Sequence, residues 1–131
     1  MKIAARIAGA LLGLLFVATG VMYLLDLVPM PPPPPVETHA TKFGNAMWET
    51  GYMTFVKILE ITGGLLVMIP RTRAVGLLIL TPIIVNIIAF GQFIAGGEGL
   101  FSPLYIIMVT LNIFLIWYHR RGLAALASEP A

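Results

Sequence analysis

The sequence contains no cysteine. That excludes disulfide exchange, a cysteine-ligated iron–sulfur cluster and covalent c-type haem within this chain. Charge is scarce as well. Acidic and basic residues make up 11% of the chain, where a soluble domain carries roughly 25%. There is too little polar sequence for a separate soluble domain, so any chemistry must use the bundle or its connections. Histidine occurs only as His39 and His119. No serine–histidine–acid set, phosphate loop or useful internal repeat can be assembled, which argues against a standalone enzyme.

What is abundant is apolar sequence, 59% of the residues. It falls in four blocks, residues 3–28, 51–69, 74–93 and 103–118. A membrane helix needs about 20 apolar residues, with a range of about 17–25. The 131 residues therefore read as a single domain. The expected fold is all-α, a four-transmembrane-helix bundle with the lipid bilayer as its solvent. Lys2 and Arg6 resemble the charged start of a signal peptide. The apolar run that follows exceeds the ~7–15 residues of a signal-peptide core, so the first helix is read as retained.

The net charge of +2 does not mark a nucleic-acid surface. Lys2, Arg6, Arg71, Arg73, Arg120 and Arg121 all lie just outside apolar blocks. They read as topology signals and lipid-headgroup contacts. Placing them inside puts both termini in the cytoplasm, as expected of a protein of the bacterial inner membrane. The outer connections are then poor in Lys and Arg, the third carrying only Glu98. Tyr23, Trp48 and Tyr52 would form the outer aromatic belt, and Trp117 and Tyr118 the inner one.

The outer connection, residues 29–50, opens with Pro29, Met30 and Pro31 and continues through Pro35. Such a run is a stiff polyproline II rod. It serves as a spacer or, alternatively, as a docking segment for an aromatic groove. From Thr38 to Thr50 the pattern fits a short helix lying on the outer surface or folded back over the bundle. The connection Pro70-Arg71-Thr72-Arg73 is so short that its helices must form an antiparallel hairpin.

Polar groups inside hydrocarbon are costly and mark the places to look. Lys57 and Glu60 are three residues apart and share a helix face. At about 1.5 Å per residue, Glu60, Asn86 and Asn112 all fall roughly 10–20 Å into the membrane. These four form the expected ligand-binding or structural polar cluster. Two readings stay open: a polar pocket for a small molecule or proton, and a clasp that sets helix register. Pro82 is expected to kink the third helix and free the carbonyl of Leu78. Gly9 and Gly13 form a GxxxG on the first helix, and Gly63 and Gly64 a small-residue face on the second, both suited to close packing. Met22, Met30, Met47, Met53 and His39 fall near the outer side and are soft enough for Cu(I), yet without tight ligand spacing methionine reads as flexible filler, so no metal site is assigned. His39 and His119 lie on opposite sides and cannot share a haem.

The stretch from Glu49 through Gly51-Tyr52, Lys57, Glu60 and Gly63-Gly64 resembles the second helix of the DoxX-like membrane proteins. Pro82-Ile-Ile-Val-Asn86 resembles their third helix, and Leu15-Phe16 with Gly20 their first. The resemblance covers nearly the whole chain and implies the same four-helix architecture. Many relatives carry a Lys where this chain has Met22 and Tyr23, and a His near Phe90-Gly91-Gln92. Chemistry resting on those residues is therefore not implied here. The resemblance implies an accessory subunit of a membrane complex, redox- or quinone-linked, with the protein complex or a homo-oligomer as partner. A binder of a lipophilic ligand such as a quinone or lipid is the alternative. A transporter or proton relay ranks third, because transporters show repeats and broken helices.

Overall fold

The computed structural model describes residues 1–27, 32, 34–97 and 100–128. Val28, where the first helix was expected to end, the prolines 29, 31 and 33, Met30 and Glu98 lie outside them. The described residues form helices and connecting turns only: α1 (Lys2–Leu24), α2 (His39–Glu49), α3 (Tyr52–Met68), α4 (Arg73–Ala89), α5 (Pro103–Tyr118) and α6 (Arg120–Ala127). A π-helical turn, Phe90–Ile94, extends α4.

Local chemistry sets most of these boundaries. Thr38 and Thr41 cap α2 reciprocally: the Thr41 amide donates to Thr38 Oγ1 at 3.2 Å, and the Thr38 amide to Thr41 Oγ1 at 2.9 Å. Gly51 (φ 79°) takes the left-handed turn that separates α2 from α3. The two helices then diverge by 82°. Ile69 is extended, as the residue before a proline tends to be. The Thr72 hydroxyl donates back to the Leu66 carbonyl at 2.8 Å, closing the end of α3. Ser102 caps α5, with Pro103 in its first turn.

The hub is the α1–α3 interface. Helix α4 lies against α3, and α5 closes on α1 more than on α4. Gly13 and Gly64 let α1 and α3 meet through their backbones, and a Cβ on Gly63 would lie 2.8 Å from the Leu80 side chain of α4. Gly9 holds the third close approach, against α4 at Arg73 and α3 at Val67. Around these contacts Leu12, Phe16, Val67, Leu77, Leu80 and Leu115 are fully or almost fully buried.

The outward faces are as apolar as the interior. Leu11 and Leu14 of α1, Phe55 of α3 and Val85 of α4 are each more than half exposed. Single exposed apolar residues are ordinary in soluble proteins, but whole helix faces of them mark contact with lipid or protein. Two helices are long and apolar enough to cross a membrane: α1, and α4 with its π turn (Arg73–Ile94). The α2–α3 pair passes the same length and hydropathy criteria only when taken together, across its bend. The 17 residues of α3 and 16 of α5 reach about 24–26 Å at 1.5 Å each, short of a ~30 Å hydrocarbon core. The helices thus present two clear candidate spans, or three with the bent pair, where the apolar blocks predict four with the fourth near the short end. The second block gives up only Gly51 to the α2–α3 bend and Ile69 to the extended end of α3. Helix α6 was not foreseen at all.

Candidate functional site

Lys57 and Glu60 lie one turn apart on α3, with Nζ 3.0 Å from Oε2. Their side chains are 19% and 5% exposed, so the lysine opens toward a cavity while the carboxylate is enclosed. The ammonium also sits 5.5 Å from the centre of the Tyr23 ring on α1, within cation–π range. Tyr23 in turn meets Trp48 of α2 edge to face at 4.9 Å. One line of contacts thus runs Glu60, Lys57, Tyr23, Trp48, tying three helices to one charge. The sequence reading placed Tyr23 and Trp48 in an aromatic belt. Their contact across helices carries no signal in spacing along the chain.

The ion pair stands where two cavities meet. The smaller, about 190 Å³, lies against α1 and α5 at Phe16, Thr19 and Met108. The larger, about 860 Å³, is walled by Phe43 and Met47 of α2, Val56 of α3, and Pro82, Asn86 and Phe90 of α4. Lys57, Glu60, Ile87 and Tyr105 border both. A groove of this size falls within the range for drug-sized ligands, about 300–1,000 Å³. Its lining is mainly aromatic and aliphatic, with a few polar groups converging at the pair.

Asn86 follows Pro82 by one turn, on the same groove wall. It is exposed and makes no side-chain hydrogen bond among the described residues. The π turn then swings Phe90 under Phe43, with ring centres 5.2 Å apart, so α4 and α2 close one end of the groove. Such turns recur at functional sites, and nothing in the sequence reading anticipated this one.

Asn112 stands apart from this arrangement. It is 4% exposed and borders neither cavity. Its Oδ1 accepts a long 3.4 Å hydrogen bond from the Thr81 hydroxyl, joining α5 to α4. The expected four-residue cluster thus divides into an ion pair with Asn86 on the shared groove and a separate Asn112–Thr81 clasp. Helical rotation explains the split, since Thr81 and Asn86 are five residues apart and point about 140° from one another.

Arg73, read from the sequence as a topology signal and lipid-headgroup contact, is only 3% exposed. Among the described residues no three His, Asp or Glu side chains come together as a metal site.

No known family model matches this chain. No solved structure matches it either. Over 71 residues it is 37% identical to the uncharacterized protein YwoB of Bacillus subtilis (strain 168), a stretch covering 53% of this chain and 44% of that protein. The match therefore spans less than half the length of that relative.

Proposed function

We propose that this chain is a membrane-embedded binder of a small lipophilic molecule with an uncharged, hydrogen-bonding head, a quinone or a neutral lipid. The observation that carries the reading is the Lys57–Glu60 pair at the junction of two cavities. Together the pair is neutral, so an ionic head would have to displace one partner from the other. A carbonyl or hydroxyl head would not: Lys57 keeps unused N–H donors, Glu60 keeps acceptor lone pairs, and Asn86 adds an amide. The apolar groove accommodates the rest of the molecule. In this reading α1, α3, α4 and α5 cross the inner membrane with both termini in the cytoplasm, α2 lies at the outer surface, and short α3 and α5 are matched by local thinning or tilt.

Mass spectrometry of the protein gently extracted from its native membrane tests this, reading proteins and small molecules together. A retained quinone or neutral lipid, lost in a folded Lys57→Met/Glu60→Gln variant, is the expected result. A stoichiometric protein partner with no small molecule would instead make the chain an accessory subunit and the pair a structural clasp.

A further inference from the structure

A second buried cation lies at the other end of the bundle, where α1, α4 and α6 begin and α5 ends. The Arg73 side chain crosses α1 at Gly9, and a Cβ on that glycine would lie 2.6 Å from Nε and 3.1 Å from Cζ. Nε donates to the Val67 carbonyl at 3.1 Å. Nη2 is buried with no partner among the described residues. The one ion pair among those residues is Lys57–Glu60, so no carboxylate offsets this guanidinium. After its burial, the Tyr118 phenol of α5 acts on this charge favourably and Arg6, exposed on α1, repels it more weakly. His119 comes within reach of the same charge from the end of α5, and its Nε2 is also buried without a partner. The first turn of α4 has no side-chain cap, because the Thr72 hydroxyl turns back to the Leu66 and Ile69 carbonyls.

Two arginines, an uncapped helix N-terminus and an unpartnered guanidinium nitrogen thus converge with one sign of charge. A buried charge held without a counter-charge is strongly disfavoured, and like charges brought together add to the cost. An anion would supply the opposite charge. Guanidinium forks match phosphate oxygens two at a time, and helix N-termini favour the same group. We propose that Arg73, with Arg6 and the start of α4, holds a phosphate group, that of an anionic phospholipid headgroup or a free phosphate. Basic clefts between membrane helices on the cytoplasmic side take headgroups in this way. This site is separate from the groove at Lys57.

The test is native mass spectrometry of the detergent-purified full chain, titrated with phosphatidylglycerol and with diacylglycerol as a phosphate-free control. The wild-type protein is expected to retain phosphatidylglycerol or inorganic phosphate through Arg73 and Arg6, whereas any diacylglycerol, a neutral lipid suited to the groove at Lys57, should bind independently of both arginines. Arg73→Gln should weaken phosphate retention about tenfold, and Arg6→Gln about fivefold. Arg120→Gln, at a surface arginine on α6, should leave it unchanged. Competition by inorganic phosphate would assign the site to free phosphate, and its failure to compete would assign it to the headgroup. If Arg73→Gln does not accumulate, Arg6→Gln decides. Phosphate or phosphatidylglycerol retention equal to wild type in the deciding variant overturns the proposal, as does a wild-type protein that retains neither phosphate compound.

Discussion

Gly13 of α1 and Gly64 of α3 meet backbone against backbone: a Cβ on Gly64 would lie 2.9 Å from the Gly13 carbonyl oxygen. Each glycine is the space the other needs. Gly64→Leu should force the two helices apart and destabilise the bundle by about 1–3 kcal/mol, as overpacking does. A lower melting temperature in detergent is the readout, with Gly44→Ala on α2, where a Cβ meets nothing within 4 Å, as the control.

Removing one member of the ion pair should harm more than removing both. Lys57→Met leaves the enclosed Glu60 carboxylate alone, at a cost of about 3–5 kcal/mol if it stays ionised. Lys57→Met/Glu60→Gln removes both charges and should recover most of that loss. A double-mutant cycle on thermal unfolding reads the coupling, and additive losses would show that the pair is not coupled.

Helix α2 is held by its aromatics rather than by a buried face, for none of its residues is buried. Phe43→Ala removes the contact with Phe90, and Trp48→Ala the contact with Tyr23. Each should cost about 0.5–1.5 kcal/mol. Hydrogen exchange should quicken in α2 while the amides of α1 and α3 keep their protection.

Burial first, and the charge of Arg73 second, hold the His119 imidazole below the usual histidine range. The folded chain therefore takes up this proton at lower pH than the unfolded chain does. Above the ordinary value near ~6.5 both states are neutral and the stability is complete. As pH falls through about 6.5 the unfolded chain is protonated first and stability declines, levelling off once the folded chain also binds the proton. His119→Gln should flatten that part of a melting-temperature profile, and an unchanged slope would assign it to other groups.

Apolar blocks and basic flanks were enough to locate α1, α3, α4 and α5, because filling a bilayer leaves a coarse pattern that any reader of the chain can see. The Lys57–Glu60 contact was legible for the same local reason, since three residues on a helix bring side chains together. What escaped was relational. Tyr23 over Lys57, Gly9 beneath Arg73 and the π turn under Phe43 depend on how helices rotate about their axes. Counting residues grouped Asn112 with the ion pair, whereas the helix rotation that turns it toward Thr81 instead does not follow from counting. The burial of Arg73 was hidden because Arg71 and Thr72 beside it in sequence are polar, while its neighbours in space are Gly9 and Val67.

The wide groove beside Lys57 changes how affinity should be judged. Its walls come from helices whose outer faces meet lipid in the membrane reading, so a lipophilic solute arrives by lateral diffusion from a phase in which it is already enriched. A compound that partitions a thousandfold into the bilayer carries roughly 4 kcal/mol of apparent binding before touching the protein. The cavity can then remain occupied with a weak grip and rapid exchange. Under the proposed binding function, selection among solutes falls to the few polar atoms at the pair, which would read the head of a molecule the bilayer has already concentrated.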